Sequence, residues 1–150
     1  MATKIGIASD HAGKELKQLI AEFVKMKNFD VIDYGVAVDS EKSVDYPDYA
    51  AILAADISGG KLDFGVLICG TGIGANKFPG VRAASVWDEF TAKMSRAHND
   101  ANIICLGARA LNHHRAAELV NLWLDTPFEG NRHKARLEKI REIEKKLCVR

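Results

Sequence analysis

Hydrophobic positions along the chain fall into two alternating patterns. Short β-rich runs at Lys4 to Ser9, Asp30 to Asp33, Phe64 to Cys69, Val81 to Val86 and Ile103 to Leu106 predict five strands. Several of these are apolar at consecutive positions, as in Gly65-Val-Leu-Ile-Cys69, which fits strands covered on both faces. Between the strands, Lys14 to Lys25 carries Leu16, Leu19, Ile20 and Phe23 at helical spacing, and Pro47 to Ile57 opens with a proline suited to a first turn. Phe90 to Ala97, His114 to Leu124 and Lys134 to Leu147 complete five predicted helices. The alternation predicts a doubly wound, Rossmann-like α/β fold: a five-stranded parallel sheet with helices on both faces, closed by a C-terminal amphipathic helix. That last helix sets Leu137, Ile140, Ile143 and Leu147 on one stripe, which serves equally for packing on its own domain or on a second subunit.

Composition narrows the function classes. The 150 residues, 47% hydrophobic and 27% charged, suffice for one domain over 1–150 with a core that needs no staples. With 21 Lys and Arg against 20 Asp and Glu, no global field draws the chain to nucleic acid or an anionic membrane. The N-terminus runs straight into a strand pattern, and no stretch is long enough to cross a bilayer, so the expected location is cytoplasmic. Cys69, Cys105 and Cys148 are scattered and odd in number, which predicts reduced thiols rather than disulfides or a zinc site.

Ligands of open α/β sheets bind outside the carboxyl ends of the strands, so the residues that follow each strand are the places for chemistry. Ser9-Asp10-His11-Ala12-Gly13 places a carboxylate beside an imidazole where a helix begins; for Asp10, helix N-capping is the plainer role. Cys69-Gly70-Thr71-Gly72-Ile73-Gly74 spaces three glycines at alternate positions, letting backbone amides approach one anion. Its Gly-x-Gly-x-Gly spacing after the third strand disfavours a dinucleotide site. At the mouth of that loop Cys69 would feel amide dipoles that favour thiolate, or it is simply a small buried hydrophobe ending a strand. Asp88 reads as the N-cap of the following helix, and His98 near its end as a cap or as a chemical group. Arg132 and Arg136, four apart on one face, either converge on a phosphate or form a solvated basic face paired with Glu129 and Glu138. His113-His114 lacks metal-ligand spacing and reads as surface.

Together with Asp45-Tyr46-Pro47, Ala75-Asn76-Lys77, His98-Asn99-Asp100 and Arg132-His133-Lys134-Ala135-Arg136, these segments closely resemble the type B ribose-5-phosphate isomerases, a family that includes allose- and galactose-6-phosphate isomerases. The resemblance runs almost end to end. It implies aldose–ketose isomerisation of ribose 5-phosphate through a cis-enediolate, without metal or cofactor. Cys69 matches the family's base, Thr71 the residue that moves the hydroxyl proton, and the amides of Gly70, Gly72 and Gly74 the oxyanion cradle. His98 matches the residue that opens the sugar ring, and Asp10 the one that binds sugar hydroxyls. Tyr46 and Asn99 match substrate contacts, and His11, Arg132 and Arg136 the phosphate site, with Arg109 a further contributor. In the family some of these residues reach across from a second subunit, implying a homodimer or a dimer of dimers. A six-carbon substrate and a catalytically weakened sugar-phosphate-binding subunit are the alternatives. One departure stands out: the family usually has about four further residues starting a helix where Ala75-Asn76-Lys77 here follows Gly74 directly, close to one helical turn.

Overall fold

The structure, a computed structural model, describes residues 2–69 and 72–147. Five parallel strands, β1 (Lys4–Ser9), β2 (Asp30–Asp33), β3 (Phe64–Ile68), β4 (Ala83–Ser85) and β5 (Ile103–Cys105), form one sheet in the order β2-β1-β3-β5-β4. Five helices accompany them: α1 (Lys14–Met26), α2 (Tyr46–Ser58), α3 (Glu89–Asn99), α4 (His113–Asp125) and α5 (Asn131–Leu147). This is the doubly wound α/β architecture that the alternating pattern predicts. Among the described residues no helix is long and apolar enough to cross a membrane.

Each face of the sheet carries its own core. Leu16, Ile20 and Val24 of α1 and Leu119 and Trp123 of α4 close over one face, against Ile7, Val66 and Ile104. Ala50, Leu53 and Ile57 of α2 close over the other, against Ala8, Leu67 and Ile103. Central strands buried on both sides account for their unbroken apolar runs.

Two expected elements are shorter than their sequence patterns. Only Ala83–Ser85 of the run Val81 to Val86 joins the ladder, because the Val81 amide donates to the Phe78 carbonyl at 3.2 Å and the Arg82 amide to Asn102 Oδ1 at 2.8 Å. Between β3 and β4 the chain makes a single 3₁₀ turn, Ala75–Lys77, instead of a helix. Asn76 fixes the end of that turn: its Nδ2 donates to the Ala83 carbonyl and its Oδ1 accepts from the Ala83 amide, both at 2.8 Å.

At α3, Asp88 is the N-cap, as its residue type predicts. Its Oδ1 accepts from the Thr91 amide at 2.8 Å, and the Thr91 hydroxyl accepts from the Asp88 amide in return, a complete capping box. Helix α5 begins three residues earlier than the periodic stripe suggests, so Arg132 and His133 lie in its first turn. Of its stripe, Leu137 is buried, whereas Ile140, Ile143 and Leu147 are 42%, 56% and 62% exposed.

Candidate active site

The strand order reverses direction between β1 and β3, the place where open α/β sheets part their connecting loops and admit ligands. A cavity of about 330 Å³ lies there, lined by Asp10, His11, Ala12, Cys69, Ala108 and Arg109 among others. Three strand ends therefore supply it: Asp10 and His11 follow β1, Cys69 follows β3, and Arg109 follows β5.

Gly13 is what brings the first two of these to the third. A Cβ at that position would stand 2.5 Å from Ile68 Cγ2 and 2.9 Å from the Ile68 carbonyl oxygen, so only glycine lets the β1–α1 turn close onto the end of β3. Gly13 also occupies the N-cap of α1. Asp10, expected as the helix cap, instead ties the preceding turn: its Oδ1 accepts from the amides of Ala12 at 2.9 Å and Gly13 at 3.2 Å, an Asx-type closure. The carboxylate is thereby held at the cavity wall. His11 is clamped from the segment preceding α2, its Nδ1 lying 3.1 Å from the Val44 carbonyl and 3.2 Å from the Val44 amide.

Cys69 is buried, 7% exposed, and lines this cavity. The second described thiol, Cys105, lies under the glycine loop. Burial pushes its titration far above the ordinary thiol range, with the neighbouring Cys69 adding to the effect, so Cys105 stays protonated and inert. Gly72 is fixed by that neighbour: it holds φ +60°, and a Cβ there would stand 2.7 Å from Cys105 Sγ. Gly74 is helical at φ −64° and begins the 3₁₀ turn. Gly70 and Thr71, expected as oxyanion cradle and proton shuttle, lie outside the described residues, as does Cys148. Tyr46 opens α2 and packs against the core cluster on that face of the sheet.

The remaining expected residues gather at the opposite edge. Helix α3 starts beside the carboxyl end of β4 and returns to the amino end of β5, so His98 and Asn99 in its last turn lie toward the amino end of the sheet, opposite the strand end that carries Cys69. The Arg82 guanidinium marks this edge, its Nε donating to the Asn99 carbonyl at 2.9 Å. The α4–α5 connection joins it through the Glu129 amide, which donates to the Ala97 carbonyl at 3.0 Å.

Glu129 and His133 are the functional candidates that residue-by-residue reading misses. Glu129 Oε2 lies 3.8 Å from His98 Nε2 and 3.6 Å from His133 Nε2, and the two imidazoles stack with centroids 4.1 Å apart. Neither acidic residue pairs with Arg132 or Arg136, because Glu129 faces the histidines and Glu138 reaches Arg141 at 3.2 Å. His114 is exposed and pairs with Glu118 at 3.2 Å, as a surface residue does.

A buried thiol, a carboxylate, an imidazole and a guanidinium surround one cavity at the switch point of an α/β sheet, a set of groups able to hold an anionic ligand beside a thiol. Comparison with known proteins makes the class specific. Residues 5–140 match the model of the family described as Ribose/Galactose Isomerase. Ribose-5-phosphate isomerase B of Escherichia coli is 40% identical, the alignment covering 95% of this chain and 97% of the relative. D-erythrulose-4-phosphate isomerase of Pectobacterium atrosepticum is 41% identical over 91% of each chain. The crystal structure of ribose-5-phosphate isomerase B from Mycoplasma genitalium with bound ribulose-5-phosphate superposes with a TM-score of 0.90 at 41% identity, covering 97% of this chain and 98% of that one. The chain belongs to the ribose/galactose isomerase family and is an isomerase. The alignment to the E. coli protein runs over 147 positions while taking in 95% of these 150 residues, so it includes positions this chain does not fill.

Proposed function

We propose that the protein interconverts ribose 5-phosphate and ribulose 5-phosphate, and that each active site draws on two copies of the chain. The observation that carries this reading is the common cavity of Asp10, His11, Cys69 and Arg109, with the expected ring-opening and arginine groups at the far edge of the same sheet. No bending of one chain brings those edges together, whereas a second copy can present its own His98, Asn99, Arg132 and Arg136 to the cavity. The exposed Ile140, Ile143 and Leu147 supply the apolar surface that such a homodimer needs.

In this account Cys69 Sγ takes the proton from C2 of the open-chain aldose and returns it to C1, passing through a cis-enediolate. Thr71 moves the hydroxyl proton from O2 to O1, and the amides of residues 70–74 hold the developing oxyanion. Asp10 binds sugar hydroxyls. His11 and Arg109 meet the phosphate from one chain, and Arg132 and Arg136 from the other. The first turn of α5 holds no acidic residue, so its amides and Arg132 together favour an anion. His98 opens the furanose before proton transfer begins. Such an enzyme of sugar-phosphate metabolism would work in the cytoplasm.

A coupled assay with ribose 5-phosphate tests the reading: turnover by the wild type that Cys69→Ser abolishes supports it, and an inactive wild type that still binds the sugar points to a binding subunit. A shorter substrate is the second reading, favoured by the identity to the P. atrosepticum enzyme. Comparing kcat/KM for four-, five- and six-carbon phosphates separates these substrates, and a preference for any but the pentose overturns the first.

A further inference from the structure

We infer that His133 is a positioning residue for His98: its buried imidazole stacks on the His98 ring and, with Glu129 facing the Nε2 atoms of both, fixes the plane in which His98 meets the sugar ring. The inference rests on the ring-opening role proposed above for His98.

Four observations carry it. The rings are 10° from parallel with centroids 4.1 Å apart, a face-to-face arrangement that removes the freedom of His98 to turn about its side-chain bonds. His133 is 3% exposed and cannot follow solvent, whereas His98 is 35% exposed and presents an open edge. A single carboxylate oxygen, Glu129 Oε2, faces both rings, at 3.8 and 3.6 Å. The backbone of Glu129 is itself anchored to α3 through the Ala97 carbonyl, the residue before His98. The scaffold therefore holds ring, stack and carboxylate as one body.

The charges around this body favour one proton. Burial, chiefly, and then the neighbouring His98, Arg132 and Arg136 hold the His133 imidazole below its ordinary range, with Glu129 opposing them. His133 thus remains neutral as a packing surface, and two protons on rings this close would repel. The proton traffic falls to His98. In the step it serves, the C1–O4 bond of the furanose breaks, the O1 hydroxyl proton passes to the imidazole, and the imidazole passes a proton to O4, leaving the open-chain aldehyde with no net change in protonation. A shared cation fits the trio less well. The ligating atoms of His98, Glu129 and His133 lie within 4.8 Å of one another, but lone pairs in parallel ring planes do not converge on one point.

The test uses the full-length enzyme and two readouts. Isomerisation of ribose 5-phosphate starts from a closed ring. Washout of a C1 hydrogen of ribulose 5-phosphate in D₂O, followed by proton NMR, starts from a ketose whose 5-oxygen is phosphorylated and cannot close a furanose, so it needs the base alone. His133→Ala and Glu129→Gln are expected to lower isomerisation about tenfold or more while washout stays near wild type. His133→Phe, which keeps a ring in the stack, is expected to fall between wild type and His133→Ala. Glu129 is half exposed, so Glu129→Gln keeps the test independent of any folding defect at the buried position. Equal losses in both readouts, or no loss in either, overturn the inference. Should His98→Asn itself fail to separate the readouts, the ring-opening reading falls and takes this inference with it. Separation in His98→Asn but not at His133 or Glu129 overturns the inference alone.

Discussion

At the carboxyl edge of the sheet, Asp10, His11, Cys69 and Arg109 are placed by strand ends, and their positions follow from backbone register and one glycine contact beneath Gly13. At the amino edge, His98, Glu129 and His133 are placed by helix ends, and their relation depends on side chains stacking and on a loop pinned to Ala97. The first region builds a cavity, and the second presents groups outward. Under the function proposed above, that difference gives each edge a part of the chemistry, which a second copy of the chain would join.

The largest expected effect comes from the carboxyl edge. Removing the proposed base in Cys69→Ser should lower turnover about 10³-fold in a coupled assay while sugar-phosphate binding by calorimetry persists. Retained activity would transfer the base role elsewhere. Next comes the junction of the two regions. Ile143→Asp puts a charge into the exposed stripe of α5 and should convert a dimer to monomers in sedimentation, with activity falling about tenfold or more although Cys69, His98 and the arginines are unchanged. A monomeric variant with full activity would show that one chain suffices.

A smaller effect is expected beneath the cavity. Gly72→Ala forces a side chain into the left-handed region and against Cys105 Sγ, so it should cost about 1–2 kcal/mol in urea unfolding. The effect would be local to the loop, leaving the stacked histidines as they are. Asp88 provides the smallest. The Thr91 amide, and then its hydroxyl, hold this carboxyl below the ordinary value of 3.8 in the folded state. Its contribution is therefore fully present above pH 3.8 and is lost as pH falls through the folded value. The urea midpoint of Asp88→Asn should accordingly vary less with pH than that of the wild type between pH 5 and pH 3. Identical slopes would show that the cap carries no charge-dependent stability.

What could be read from the residues divides along the same line. The strands, the helices and the carboxyl-edge groups obey local rules: apolar runs, 3.6-residue spacing, and the placement of ligand groups after strands. The Asp10 turn escaped because an Asp before a helix looks the same whether it caps the helix or the turn two residues earlier, and only the packing of Gly13 on Ile68 decides which. At the amino edge, His98 was visible as a histidine ending a helix, but its partners were not. Glu129 and His133 are 31 and 35 positions away in the chain, and nothing periodic encodes their meeting. The retreat of β4 to Ala83–Ser85 had the same origin, since the Asn102 side chain takes the Arg82 amide out of the ladder.

The central claim, that each site joins Cys69 of one chain to His98 of another, is tested most directly by a purified heterodimer of Cys69→Ser and His98→Asn chains carrying different tags. One of its two sites would then hold both substitutions and the other neither, so activity on ribose 5-phosphate should return to about half that of the wild-type dimer, although each homodimeric parent is inactive. A heterodimer as inactive as its parents would contradict the account.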